Sequence, residues 1–274
     1  MSSATAPPPL FGPPPRSRLL DVALLLAFIG LAVLLTWPSA LVHIDVAVRD
    51  TIEADRPGWA LALAKVFKFL GLPTIQALAI TYVGIWCASM RRSLRPLLPV
   101  GAAWLLLAIT KQLQPLFDRV FPHWPDCPPV CPEVDTGATG ATFFAGQGYD
   151  AFPSGHSTAT AIWLPLAVWL IPQLPRRWRW FLAITPSVLL TMGQTYLGYH
   201  WLSDSIGGIL LGVLVLRLIQ RVPWGTIPLF PVTLLEKWAA GRRAAIDRRA
   251  GSASRSPIWT VSLRRMAARR RSIE

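Results

Sequence analysis

Six apolar runs, at 19–37, 71–90, 97–113, 155–174, 180–197 and 202–219, constrain this chain more than any other feature. A hydrocarbon layer about 30 Å thick is crossed by about 20 helical residues. Inside it every backbone polar group must be satisfied within its own segment, so runs of this length read as helices. The fold class expected is therefore all-α, a polytopic membrane protein built as a six-transmembrane-helix bundle. The first run carries one charge, Asp21, and a cleavable signal peptide competes with a retained helix there. No clear small-residue cleavage site follows it, which favours the retained helix.

Charge supports a membrane setting and sets an orientation. Only 15% of the residues are charged and 53% are apolar, against about 25% charged in average soluble chains. The 27 Lys and Arg outnumber the 14 Asp and Glu, an excess that a nucleic acid or a membrane surface could explain. The arginines cluster between and after the apolar runs, at Arg91, Arg92 and Arg95, at Arg176, Arg177 and Arg179, and at Arg269, Arg270 and Arg271. That is the distribution of cytoplasmic loops beside membrane spans, and it weighs against nucleic acid. The rule predicts both termini inside, the acid-bearing segments 39–70 and 115–152 outside, and a place in the cell's inner (plasma) membrane.

The remaining segments follow from composition. Residues 1–18 are rich in Pro, Ser and Ala and read as a disordered cytoplasmic leader. Residues 19–221 form the membrane domain, and 222–274 a basic cytoplasmic tail. Within 57–70 an apolar pattern is broken by Lys65 and Lys68, which suits a helix lying at the interface. Cys87 sits in an apolar run and reads as an inert core thiol. Cys127 and Cys131 share a Pro-rich loop and could bridge or stay free in an oxidising compartment. Two cysteines without companion ligands argue against zinc, and the sequence calls for no metal or cofactor.

Two of the four histidines stand where an outer loop meets a span. His156 belongs to Pro153-Ser154-Gly155-His156, at the start of the fourth run. His200 belongs to Gly198-Tyr199-His200-Trp201-Leu202-Ser203-Asp204, at the start of the sixth. Asp204, one turn after His200, is costly at a span end unless partnered. Its carboxylate can hold one imidazole nitrogen and leave the other as a nucleophile. Ser154 and Gly155 open a helix whose free N–H groups attract anions, and His156 could protonate a leaving oxygen. A polar helix end is the plainer explanation of either histidine taken singly.

Together these two motifs resemble the second and third signatures of the type 2 phosphatidic acid phosphatase (PAP2) superfamily, over roughly residues 70–220. The resemblance implies six spans with the site at their outer ends. It further implies His200 as the nucleophile forming a phosphohistidine, Asp204 as its orienter and His156 as general acid. A membrane lipid phosphate or diphosphate is the expected partner. His43 and His123 match nothing in the pattern.

The chain departs from that pattern at the basic positions. The family's first motif has Lys, six residues, then Arg-Pro; the best register here runs from Gln114 to Phe121-Pro122. Its third motif has Ser-Arg six residues before the His, where this chain has Gly193 and Gln194. Each hydrogen bond to a charged group contributes about 1.5–3 kcal/mol, so three lost ligands matter. Lys111, one turn before Gln114, and Arg119 are the candidate replacements, and Gln114 and Gln194 can still donate amide hydrogen bonds. Three functions stay open on these residues: a lipid phosphatase, a lipid head-group phosphotransferase, or a non-catalytic member of the fold. Orientation is testable first. A cysteine placed at Gly140 should react with an impermeant maleimide added outside cells, and one at Ala250 should not; the opposite labelling would invert the bundle.

Overall fold

The structure, a computed structural model, describes residues 10–122, 140–146 and 148–227 and, in the tail, 237, 238, 241, 242, 245, 246 and 248. His123, Cys127 and Cys131 lie outside the described residues. Among the described residues of 10–227, eight α-helices form: α1 (Arg18–Leu34), α2 (Ala40–Ala54), α3 (Gly58–Leu70), α4 (Pro73–Arg91), α5 (Leu97–Leu113), α6 (Gly155–Leu170), α7 (Arg176–Tyr196) and α8 (Leu202–Arg221). A 3-10 turn, Gln114–Leu116, prolongs α5. Among the described residues there is no strand, only an isolated bridge between Arg119 and Ala141.

Side-chain caps fix several helix starts. Ser17 accepts from the Leu20 amide at 3.1 Å and Ser154 from the Ser157 amide at 3.3 Å, satisfying N–H groups that a first turn leaves free. Pro73 opens α4, where a missing N–H costs nothing. α2 occupies part of the acid-bearing segment 39–70, for which no helix was expected before residue 57. Ser39 caps it, and Val42 and Asp45 face inward while Asp50 and Asp55 face out.

Helices form over all six apolar runs, but length and composition alone do not make each a span. α5 with its 3-10 extension (Leu97–Leu116) and α8 are long and apolar enough to cross a membrane. α3 and α4, bent by 44° at their junction, make at most one more. α1 and α6 have 17 and 16 residues, and α7 opens on Arg176, Arg177 and Arg179.

The helix α6 is the axis of the packing, touching α4, α5, α7 and α8. Ile162, Trp163, Leu166 and Leu170 on it are completely enclosed. The outward faces are apolar too: Leu19, Leu26, Leu78, Tyr82 and Leu105 are each at least 62% exposed. Such a surface is unfavourable in water and costs nothing against lipid tails. The closest approach is between α6 and α8. A Cβ on Gly208 would lie 2.5 Å from the Ser154 carbonyl oxygen, and one on Gly212 would lie 2.6 Å from that of Thr158. Small residues four apart let two backbones meet, and here they draw the N-terminal ends of both helices together.

Residues 10–17 correct the expectation of a disordered leader through position 18. Phe11 stacks on Trp169 with ring centroids 4.8 Å apart, and the Gly12 amide donates to the Trp169 carbonyl at 2.9 Å. Arg221 donates to Asp21 at 2.6 Å, and Arg217 pairs with the same carboxylate. These contacts gather at the end of the bundle away from His156 and His200. A second compact unit begins at Ile227, and in it Arg242 lies over the Trp238 ring.

The α6–α8 contact can be tested by volume. Gly212→Ala should cost about 1–3 kcal/mol by overpacking, read as a lower melting temperature in detergent. Gly101→Ala, with nothing within 4 Å of the added carbon, should be neutral or slightly stabilising.

Candidate active site

The N-terminal ends of α6 and α8 meet beside a cavity of about 570 Å³. Its polar end is lined by Lys111, Gln114, Asp150, Gly155, His156 and His200, and its apolar part by Ala77, Trp104, Leu107 and Trp163. The His156 and His200 rings, with centroids 6.1 Å apart, face each other at an interplanar angle of 63°. A phosphorus–oxygen bond of ordinary length plus a hydrogen bond of about 2.8 Å fits within such a separation. One phosphoryl group can therefore touch both rings.

The position of His200 indicates which ring nitrogen carries its proton. Its Nδ1 lies 2.9 Å from the Ala151 carbonyl oxygen, which can only accept. Nδ1 thus carries the proton, and in the neutral ring Nε2 keeps a free lone pair. The expected orienter is in a different place. Asp204 Oδ2 stands 3.7 Å from Nδ1, too far for a hydrogen bond. The backbone orients the ring, and Asp204 acts on it through space. Phe121 closes another side of His200, edge to face at 5.7 Å.

Asp204 is engaged elsewhere. Its Oδ1 accepts from Arg119 at 2.5 Å and its Oδ2 from the Trp201 amide at 2.9 Å. Arg119, with no exposed surface, also donates to Ser203 Oγ and to Asp45 Oδ2, each at 2.7 Å. Asp45 accepts from the Ser203 amide at 3.0 Å and from the Ser203 hydroxyl. One guanidinium thus serves two enclosed carboxylates. Burial pushes the Asp45 carboxyl above its ordinary range against the pull of Arg119, and the Asp204 charge adds to the push.

These contacts revise several expected roles. Arg119 is not among the residues lining the cavity: its guanidinium donates to Asp45, Ser203 and Asp204. Gln194, 1% exposed, donates to Ser157 at 2.7 Å and to Ser205 at 2.6 Å and accepts from Ser154 at 3.2 Å. It ties α6, α7 and α8 together beneath the site and presents nothing to a ligand. Ser154 is completely enclosed, its hydroxyl spent on that bond and on capping α6. Lys111, Gln114 and Gly155 do line the cavity. Gln114 donates to the Pro153 carbonyl at 2.6 Å, and a Cβ on Gly155 would come within 3.1 Å of its amide nitrogen. His43 is exposed. Asp45 and the Ala151 carbonyl were not singled out by the sequence. For the first, a carboxylate on the inner face of an amphipathic, Ser-capped segment was the available signal; for the second there was none.

The paired histidines at adjoining helix N-termini, in an all-helical membrane architecture, define a class. Residues 105–227 match the PAP2 superfamily model, and over that region the chain is a PAP2-type protein. It is 29% identical over 198 residues to the decaprenylphosphoryl-5-phosphoribose phosphatase of Mycobacterium tuberculosis, covering 69% of this chain and 93% of the relative. It is 27% identical over 175 residues to the Escherichia coli protein YbjG, provisionally named an undecaprenyl-diphosphatase, covering 63% and 79%. Among solved structures it is similar to the transmembrane PAP2 type phosphatidylglycerolphosphate phosphatase of Bacillus subtilis, with a TM-score of 0.57, 25% identity and coverage of 73% and 94%.

The ion triad carries its own test. Arg119→Met leaves two buried carboxylates without a cation and should cost about 3–5 kcal/mol, seen as a marked loss of melting temperature. Asp50→Ala, whose side chain is 58% exposed, should change stability by less than about 1 kcal/mol.

Proposed function

We propose that this chain is an integral-membrane phosphatase of lipid phosphates or diphosphates that works through a phosphohistidine on His200. The observation that carries the reading is the Nδ1 contact of His200 with the Ala151 carbonyl, which leaves Nε2 as a nucleophile in a cavity shared with His156. In the first step Nε2 attacks phosphorus, an N–P bond forms, and the P–O bond to the lipid breaks. His156 gives its proton to the departing oxygen. In the second step a water attacks phosphorus and gives its proton to His156, the N–P bond breaks, and inorganic phosphate leaves. The ring is cationic while phosphorylated. The Ala151 carbonyl oxygen and the Asp204 carboxylate, 3.7 Å from Nδ1, stabilise that charge.

Lys111 and Gln114 are the side chains we assign to the phosphate from α5, with Gly155 letting the anion approach the first turn of α6. The apolar part of the cavity suits the first units of a lipid chain. The named substrates of the relatives, polyprenyl and glycerol lipids bearing phosphate or diphosphate, share that plan. We further propose six spans (α1 and α4 to α8), with both termini cytoplasmic and the site at the outer face. α2 and α3 then lie along the interface, in keeping with the Arg clusters at the opposite ends of α4 and α7.

Purified protein in detergent should release inorganic phosphate from undecaprenyl diphosphate or phosphatidylglycerophosphate. His200→Ala should lower turnover by at least about a thousandfold with melting unchanged, since it removes the nitrogen proposed to attack phosphorus. Substrate labelled in its terminal phosphate should leave acid-labile label on the protein, and none on the His200→Ala variant. Full turnover by that variant would end the phosphohistidine reading.

A further inference from the structure

A lipid phosphate brings up to two negative charges into the cavity, and a diphosphate more, yet among the described residues Lys111 is the only lysine or arginine in the wall, which Asp150 also lines. Arg119, the other cation expected there, is neutralised by Asp45 and Asp204. Anionic ligands that leave water for a mostly apolar cavity need opposing charge or donors, because the cost of desolvating them is otherwise unmet. A further positive group should therefore reach this end of the cavity from some other element.

α3 carries one. The Lys68 ammonium sits over the ring of Tyr199, 3.2 Å from its centroid, and Tyr199 is a wall residue beside His200. Lys68 is half-buried, while Lys65, one turn earlier, is exposed. The positive charges felt at His156 from outside the histidine pair are those of Lys68 and Lys111, so the two ammonium groups act on one side chain from two helices. The approach of α3 has a local cause. Gly193 on α7 sits directly against it: a Cβ there would lie 2.8 Å from Phe67 Cβ, 2.9 Å from the Ala64 carbonyl oxygen and 3.3 Å from the Lys68 amide nitrogen. Any larger residue at 193 would push α3, and Lys68 with it, away from the site. Gln194 beside it supplies no charge.

Resting on the phosphatase reading, we propose that Lys68 is a phosphate ligand of this site, contributed from α3 and held on the Tyr199 ring until the anion arrives. Its face-on contact with the ring is a weak cation–π hold, and the flexible four-carbon stem allows the ammonium to leave it for a phosphate oxygen. Phosphate, or the terminal phosphate of a lipid, is then gripped between Lys68 and Lys111 with the two histidines between them. The α3–α7 contact becomes a specificity element, because it sets how far the second cation reaches.

The test uses inorganic phosphate as the probe, with its affinity measured by thermal stabilisation of the full-length protein in detergent. This needs no turnover and stands apart from the fate of the catalytic reading, which the His200→Ala assay decides. Lys68→Met should weaken phosphate binding by about tenfold to a hundredfold, the loss of one charge-assisted hydrogen bond. Lys68→Arg should retain most of the affinity, and Lys65→Met should bind as the unaltered protein does. In turnover, Lys68→Met should raise KM by more than it lowers kcat. Unchanged phosphate affinity in Lys68→Met overturns the inference, as does failure of the unaltered protein to bind phosphate. So does a Lys68→Met variant that no longer folds while Lys65→Met does, since Lys68 would then be a structural residue.

Discussion

The site depends on one buried ion cluster. Arg119 joins Asp45 of α2 to Asp204 of α8, and through Ser203 the same carboxylates hold the first amides of α8. None of the three charged residues is more than 2% exposed. Each would be costly alone in such surroundings, and paired they allow few geometries. His200 immediately precedes this anchored helix start, so its ring is held where Nδ1 meets the Ala151 carbonyl. The cluster thus does its work at one remove from the chemistry. It sets the position of His200 and leaves no charge of its own in the cavity.

A second constraint operates along the helix axes. Gly208 and Gly212 let α8 lie against the backbone of α6, and Gln194 bonds the serines of both helices from α7. Where lipid surrounds the helices there is no hydrophobic force pressing them together, so close backbone contact and internal hydrogen bonds hold the bundle. The same packing brings two helix N-termini side by side, and with them His156 and His200. Packing and site geometry therefore have a common cause, since the residues that seal α6 to α8 also set the gap between the two histidine rings.

The polar residues that differ from the family pattern fall into two kinds. Gln194 is sealed into a network of serines and has no route to a ligand. Gln114 lines the cavity but is bound to the Pro153 carbonyl. Neither restores a positive charge, and the cations near His156 come from Lys111 on α5 and Lys68 on α3.

The amino-acid sequence by itself determined the helices over the six apolar runs and the class. Apolar runs of bilayer length, the Arg clusters between them and the two histidine motifs are all local patterns, and local patterns survive without knowledge of the fold. Lys111 was legible as a cavity residue because it lies one helical turn from Gln114. The remainder of the site was decided by tertiary structure. Whether Arg119 faces a ligand or a carboxylate depends on Asp45, 74 residues away in sequence, and a burial-driven ion pair leaves no periodic trace. The Ala151 carbonyl could not be read from a side chain at all, since backbone groups look alike in a sequence. Lys68 looked like an interfacial charge because its nearness to His156 rests on Gly193 admitting α3, a contact between two helices that no single segment encodes.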